Sequence, residues 1–289
     1  MNKPYICAFI TIFFWGSTAA ISSLVLDSIS TLALVFYGSL VATIFLLILN
    51  IVTGRIGQVK EITGRDYANM FVVGMLGIFL YNVLLFFGMT RILVQQAFII
   101  NYLWPICIVI FSCIILKEKL TVIKCISMLA SFAGVAVVAT GGNFSNLVSL
   151  DFLGVLAACL AAVFYGLFSV LTIKIKYDKF VAMMVYYFFS TIVSAVALLA
   201  TNTFIIPTAS QIPGILWIGI LVNGVAFTLW SIAIAAGNTA RLSNLAYLTP
   251  FVSLIWIYFL IGEPISMASV IGLLIIISGV VLQMFDKQK

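Results

Sequence analysis

Histidine is missing altogether, and only eight of the 289 residues are acidic. A membrane enzyme would need carboxylates, imidazoles or a paired nucleophile near an interface, so their scarcity argues against catalysis. The five cysteines, Cys7, Cys107, Cys113, Cys125 and Cys159, are odd in number, form no CxxC pair and lie in apolar stretches. They read as small buried hydrophobes, and neither a metal site nor a disulfide framework is expected. No phosphate-binding glycine loop is present, which removes ATP as a direct energy source. No cofactor is expected.

Charge is scarce too. Charged side chains are 8% of the chain, against roughly 25% in soluble domains. Hydrophobic residues make up 64%, more than a globule of this length can hide from water. The solvent must therefore be lipid, which offers backbone groups no hydrogen bonds and admits only helices or closed barrels. The apolar runs are continuous and about twenty residues long, the length of a spanning helix and twice that of a barrel strand. The net charge of +6 reflects basic residues flanking these runs, a topology signal. It does not point to nucleic acid.

Ten spans are expected, at about 5–25, 31–53, 67–89, 93–116, 122–140, 152–173, 180–201, 214–236, 240–261 and 266–285. The N-terminal run reads as the first span, since no small-residue cleavage site follows it. With ten spans both termini share a side, and thirteen of the fourteen Lys and Arg residues fall there. Only Arg91 falls opposite. The positive-inside rule puts that shared side in the cytoplasm of a bacterial-type inner membrane. The chain is expected to be one all-α membrane domain, 1–289.

The chain also repeats itself. A shift of 145 residues lays Tyr102 on Tyr247, Leu103 on Leu248, Pro105 on Pro250 and Glu118 on Glu263, without a gap. Trp15-Gly16 matches Tyr165-Gly166, and Tyr81 and Gly88 match Trp230 and Gly237. The expected halves are 1–140 and 152–285, five spans each. Five is odd, so the halves would enter the membrane in opposite orientations. That is a transporter plan in which substrate binds at the midplane between repeats, although some channels share it.

Five-plus-five helices, Trp15-Gly16 in the first, Pro105 and Pro250 in the fourth and ninth, and an acidic residue after each resemble the EamA family of the drug/metabolite transporter superfamily. The run Asn101-Tyr102-Leu103-Trp104-Pro105 is similar to that of the YddG-type aromatic amino acid exporters within it. The resemblance implies a central cavity lined by helices 1 to 4 and 6 to 9, with helices 5 and 10 peripheral. One departure is Gln96, where proteins with this motif often carry an acid.

Polar side chains inside spans mark pathways or packing bonds. Helix 4 carries Gln95, Gln96 and Asn101. Pro105, lacking an N–H, leaves the Asn101 carbonyl free, so Asn101 either binds a polar head group or satisfies the break. Asn244 is its counterpart on helix 9. Pro105 and Pro250 are the expected hinges. Trp15, Tyr81, Tyr102, Trp104, Tyr165, Trp230 and Tyr247 lie inside spans at repeat-matched positions and are the expected aromatic wall of a small-molecule pocket, with Tyr37 and Tyr187 as weaker members. Glu118, between Lys117 and Lys119, reads as a solvated loop residue or as part of a gate. Ala130 with Gly134, and Ala268 with Gly272, allow close helix packing inside a monomer or across a homodimer.

No Asp, Glu, His, Lys or Arg falls in the middle of a span. Passive or exchange transport of a neutral or zwitterionic metabolite, an amino acid among the candidates, therefore fits best. A proton-coupled exporter of drugs or organic cations is the alternative, and it would need Glu118 or Glu263 to reach the cavity.

Overall fold

The computed structural model describes residues 3–26, 29–92, 94–145, 151–262 and 264–285. The chain runs through α1 (Lys3–Leu26), α2 (Thr31–Val52), α3 (Gly64–Arg91) and the interrupted α4 (Val94–Asn101, then Trp104–Phe111). It continues through α5 (Val122–Thr140), α6 (Phe152–Ile173), α7 (Lys179–Ala200) and α8 (Ile212–Ala236). The interrupted α9 (Thr239–Leu245, then Thr249–Ile261) and α10 (Met267–Met284) complete it. Among the described residues nine of these stretches, α2 to α10, are long and apolar enough to cross a membrane. The helix α1 adds 24 residues, also strongly apolar. Large apolar side chains such as Ile48, Leu129, Phe259 and Leu274 stand exposed on the outside. That surface suits lipid and not water.

Local chemistry sets the ends. Ser30, Thr63, Thr121, Asp151, Asn238 and Ser266 each cap a helix N-terminus with a side-chain oxygen, satisfying amides the helix leaves unpaired. Gly141 and Gly262 end α5 and α9 at φ of 58° and 84°, a conformation glycine adopts without the Cβ penalty.

Neighbour pairs define two ends of the bundle. The helices α2 and α7 are antiparallel, with Ser39 against Ser190 and Asn50 against Phe180. The pair α1 and α9 is parallel, with Pro4 beside Gly237 just before α9 and Gly16 against Val252 further along. One end gathers Lys3, the α2–α3 connection, Lys117 to Lys119, the α6–α7 connection and Arg241, and is called the basic end. The other gathers the α1–α2, α3–α4 and α7–α8 connections, where Tyr37 Oη donates to the Ile205 carbonyl at 2.7 Å.

Contacts are reciprocal between the halves. A Cβ on Gly16 would meet Val252, and one on Gly166 would meet Cys107; 252 is 107 shifted by 145, as 166 is 16 shifted by 150. A Cβ on Gly88 would meet the Gly154 carbonyl, and one on Gly237 would meet Pro4. The α5–α10 seam repeats the pattern. Gly134 lies against Ile276 and Gly279 against Ser131, and Ser131 Oγ donates to the Ile276 carbonyl at 3.3 Å. The glycines of the small-residue pairs thus pack within the chain, together with Ser127 and Ser131 in place of Ala130.

Two polar side chains are engaged at the basic end. Lys124 is buried in the first turn of α5, with Nζ donating to the Lys119 carbonyl at 2.6 Å. Glu118, for which a solvated loop position was one of two readings, is half-buried and hydrogen-bonded. Its carboxylate accepts from Thr239 Oγ1 at 2.7 Å and Ser112 Oγ at 3.3 Å, tying α4 to the start of α9. A loop carboxylate adjusts readily to whatever donors tertiary packing brings near. Glu263 lies outside the described residues.

Candidate functional site: an uncharged aromatic cavity

The breaks in α4 and α9 occupy equivalent places. The first segment of α4 ends at Asn101, turns through Tyr102 and Leu103, and resumes with Pro105 in its first turn. In α9 the residues Ala246–Leu248 tighten into a 3₁₀ turn before Pro250. Proline is tolerated at a first helical turn because the missing N–H has no partner there anyway. Each proline therefore starts a second helical segment, and the polar residues before it sit where the backbone is no longer regular.

A cavity of about 320 Å³ lies beside the α4 break. Of the expected residues, Trp15, Tyr81, Asn101, Tyr102, Trp104, Tyr165 and Tyr187 line it. Its upper wall climbs α3 through Leu85, Phe86 and Met89, and α2 through Val35 and Leu34, toward the end opposite the basic one. The rest of the wall includes Ser39, Ile78, Val222 and Phe227. No charged side chain appears among the described residues lining it.

Its floor is a cluster of rings meeting edge to face. Trp104 stands 5.9 Å from Trp15, 5.1 Å from Tyr165 and 5.5 Å from Trp230 between centroids, each at an interplanar angle above 80°. Such pairs add about 0.5–1.5 kcal/mol each beyond burial of their area. They pack too closely to admit a ligand between them, so they separate the cavity from the basic end.

Polar atoms in the wall are incompletely matched. Asn101, 3% exposed, donates from Nδ2 to Tyr81 Oη at 3.3 Å, while its Oδ1 has no partner within the chain. Trp15 Nε1 and the Tyr165 and Tyr187 hydroxyls are likewise buried and unpartnered. Each such atom costs desolvation energy unless something else meets it.

Three expected residues do not face this cavity. Trp230 is buried behind the floor, with Nε1 donating to Ser169 Oγ at 3.4 Å. Asn244 donates to the Gly279 carbonyl at 3.1 Å, and Tyr247 packs against Phe132 at 6.5 Å between ring centroids. Both are buried where α9 packs against α10 and α5. Tyr37 is drawn off to the Ile205 carbonyl. The side chains of Gln95 and Gln96 lie outside the described residues. Asn82, Asn223, Thr18 and Phe227 line the cavity and were not anticipated. Asn82 and Asn223, amides inside apolar spans, carried the same signal as Asn101.

The basic end is tied shut by polar contacts. Tyr177 Oη donates to Asp66 Oδ2 at 2.7 Å, Thr63 Oγ1 to the same oxygen at 2.8 Å, and Lys176 lies 3.5 Å from it. Arg55 pairs with Asp178 at 3.4 Å. These join the α2–α3 and α6–α7 connections. The Asp66 carboxylate holds the Lys176 ammonium above its ordinary value, chiefly by charge, and the Tyr177 phenol above its own, chiefly by the hydrogen bond.

Comparisons with known proteins agree with this architecture. The profile described as "EamA-like transporter family" matches residues 2–140 and again 152–285. An "Uncharacterized transporter" of Clostridium kluyveri is 26% identical, covering 100% of this chain and 95% of its own. The "Aromatic amino acid exporter YddG" of Ancylobacter novellus is 26% identical over 64% of each chain. A "Probable terminal-alkyne amino-acid exporter" of Streptantibioticus cattleyicolor is 22% identical, covering 98% of this chain and 93% of its own. A solved crystal structure superposes with a TM-score of 0.83 at 22% identity, covering 97% of this chain and 96% of that one; it speaks to the fold alone. With both halves matched by one family profile, this multi-pass membrane protein belongs to the EamA-like transporter family.

Proposed function

We propose that this protein exports or exchanges a small organic metabolite, an amino acid with an apolar or aromatic side chain, by alternating access without proton coupling. The observation that carries this reading is the uncharged, ring-lined cavity, floored by Trp15, Trp104 and Tyr165 and walled along α2 and α3 away from the basic end. Apolar walls with a few convergent polar atoms suit a small amphiphilic ligand. Two relatives named as amino acid exporters support the same substrate class.

The architecture behind the activity is ten spans in two inverted repeats, 1–140 and 152–285, with α1 as the first span. Reciprocal contacts at Gly16 and Gly166, at Gly88 and Gly237, and along the α5–α10 seam support a pseudo-two-fold axis between the halves. The basic end faces the cytoplasm of a bacterial inner membrane, by the positive-inside rule. The cavity then faces outward. Alternating access would close it and open the α9 side, with the breaks at Pro105 and Pro250 as hinges.

Coupled transport generally keeps an ionisable group in the pathway. Glu118 is engaged at the basic end and is absent from the cavity wall, which favours facilitation.

The test is flux of radiolabelled Trp and Phe, against a panel of other metabolites, in proteoliposomes with and without a pH gradient at constant voltage. Saturable flux of Trp or Phe that ignores the gradient is expected. Flux driven by the pH gradient would replace this reading with the coupled exporter.

A further inference from the structure

Resting on the amino-acid reading above, we infer that Asn101 and Trp15 read the two ends of a zwitterion: Asn101 Oδ1 accepts from the substrate ammonium and Trp15 Nε1 donates to its carboxylate. The cavity wall holds no charge to pair with a net ion, yet it buries an acceptor and a donor with no partner in the chain. A ligand bearing one cationic donor and one anionic acceptor satisfies both at once and leaves no net charge in a low-dielectric space.

Orientation follows from the neighbours. Tyr81 Oη takes the Asn101 Nδ2 donor at 3.3 Å, which turns the amide so that its oxygen is the free end. Tyr81 is therefore a positioning residue for Asn101, and its ring packs at a tilt against Tyr165, 4.8 Å between centroids. Trp15 is held by Trp104, Tyr165 and Phe227 at 5.9, 6.0 and 5.3 Å. Those contacts fix the indole by its ring and leave Nε1 free to bind. Leu85, Phe86 and Met89 supply an apolar wall for the substrate side chain.

The assignment makes Asn101 and Trp15 separable by ligand. The probes are radiolabelled phenylalanine, phenethylamine (which lacks the carboxylate) and 3-phenylpropanoate (which lacks the ammonium), each with purified protein in proteoliposomes. Binding and flux are measured for wild type, Trp15→Phe, Asn101→Leu, Asn101→Asp and Tyr81→Phe. A hydrogen bond to a charged group corresponds to about tenfold to a hundredfold in affinity.

Trp15→Phe should lose about tenfold or more for phenylalanine and 3-phenylpropanoate and little for phenethylamine. Asn101→Leu should do the reverse, weakening phenylalanine and phenethylamine while sparing 3-phenylpropanoate. Asn101→Asp keeps an acceptor in place and should retain phenethylamine binding. Tyr81→Phe should resemble Asn101→Leu in milder form. Equal losses for all three ligands, or none, in well-folded variants would overturn the assignment while leaving amino-acid transport standing. Failure of the wild type to bind or move any of the three would overturn the amino-acid reading and the assignment with it.

Discussion

The two broken helices carry nearly the same motif and meet different surroundings. In α4, Asn101 and Tyr102 border a cavity, and the Asn101 Oδ1 has no partner within the chain. In α9, Asn244 is spent on the Gly279 carbonyl and Tyr247 is fully buried against Phe132. Tyr102 and Tyr247, at the same offset before a proline, thus meet opposite surroundings. Buried and unpartnered as they are, the Asn244 Oδ1 and Tyr247 hydroxyl carry a desolvation penalty that a change of state could relieve.

The comparison breaks most sharply at Trp104. Its equivalent in the other half is Thr249, which also reaches the cavity. Trp104→Ala removes the ring that contacts Trp15, Tyr165 and Trp230. It should cost about 3–5 kcal/mol of stability, as large aromatic truncations in cores do, and abolish saturable flux. Thr249→Ala should leave both nearly intact. Thermal unfolding in detergent and proteoliposome flux check the pair, and equal effects from the two substitutions would refute the idea that the rings form the floor.

Next in size is a matched test of the repeat. A Cβ on Gly16 would come within 2.6 Å of Val252 Cγ1, and one on Gly166 within 2.5 Å of Cys107 Cβ. Gly16→Ala and Gly166→Ala should each destabilise by about 1–3 kcal/mol, the ordinary cost of overpacking. A large penalty in one and none in the other would count against the pseudo-two-fold axis.

Accessibility sharpens the contrast directly. In a background with the five native cysteines removed, Tyr102→Cys should react readily with an impermeant thiol reagent, and Tyr247→Cys should react slowly. Similar rates at the two positions would show that the halves do not differ in exposure.

The smallest effect concerns the basic end. Asp66→Asn weakens the contacts with Tyr177, Thr63 and Lys176, and should speed labelling of Tyr247→Cys relative to Tyr102→Cys. Lys176 has a raised pKa through its charge interaction with Asp66, so its contribution is fully present below the ordinary lysine value and is lost only as pH rises through the higher folded one. Between about pH 7 and pH 9 both forms of the protein keep that ammonium charged, and the labelling ratio should stay flat. A marked pH response over that window would place the latch elsewhere.

Much of this was legible in one dimension. Apolar runs marked the helix limits to within a few residues, and the structure adds the caps Ser30, Thr63 and Asp151 at their starts. In lipid an unpaired amide has no water to fall back on, so span length and polarity are written into local composition. The 145-residue echo around Pro105 and Pro250 marked the two breaks for the same local reason, proline's missing donor. The ring positions Trp15, Tyr81, Trp104 and Tyr165 were also readable, being large aromatics well inside spans.

What tertiary structure alone decided is which copy of the motif faces space and which faces protein. Tyr102 and Tyr247 are the same residue at the same offset, so no local property separates them. Their exposure depends on how α4 and α9 pack against the other helices. Glu118 followed the same logic: its sequence neighbours are lysines, but its partner is Thr239 on α9. Sequence by itself determined the solvent, the spans and the repeat, because those rest on backbone hydrogen bonding and on side-chain transfer into lipid. The side of the cavity, its floor and its polar contacts were left to packing, because they are properties of pairs of helices and not of any one.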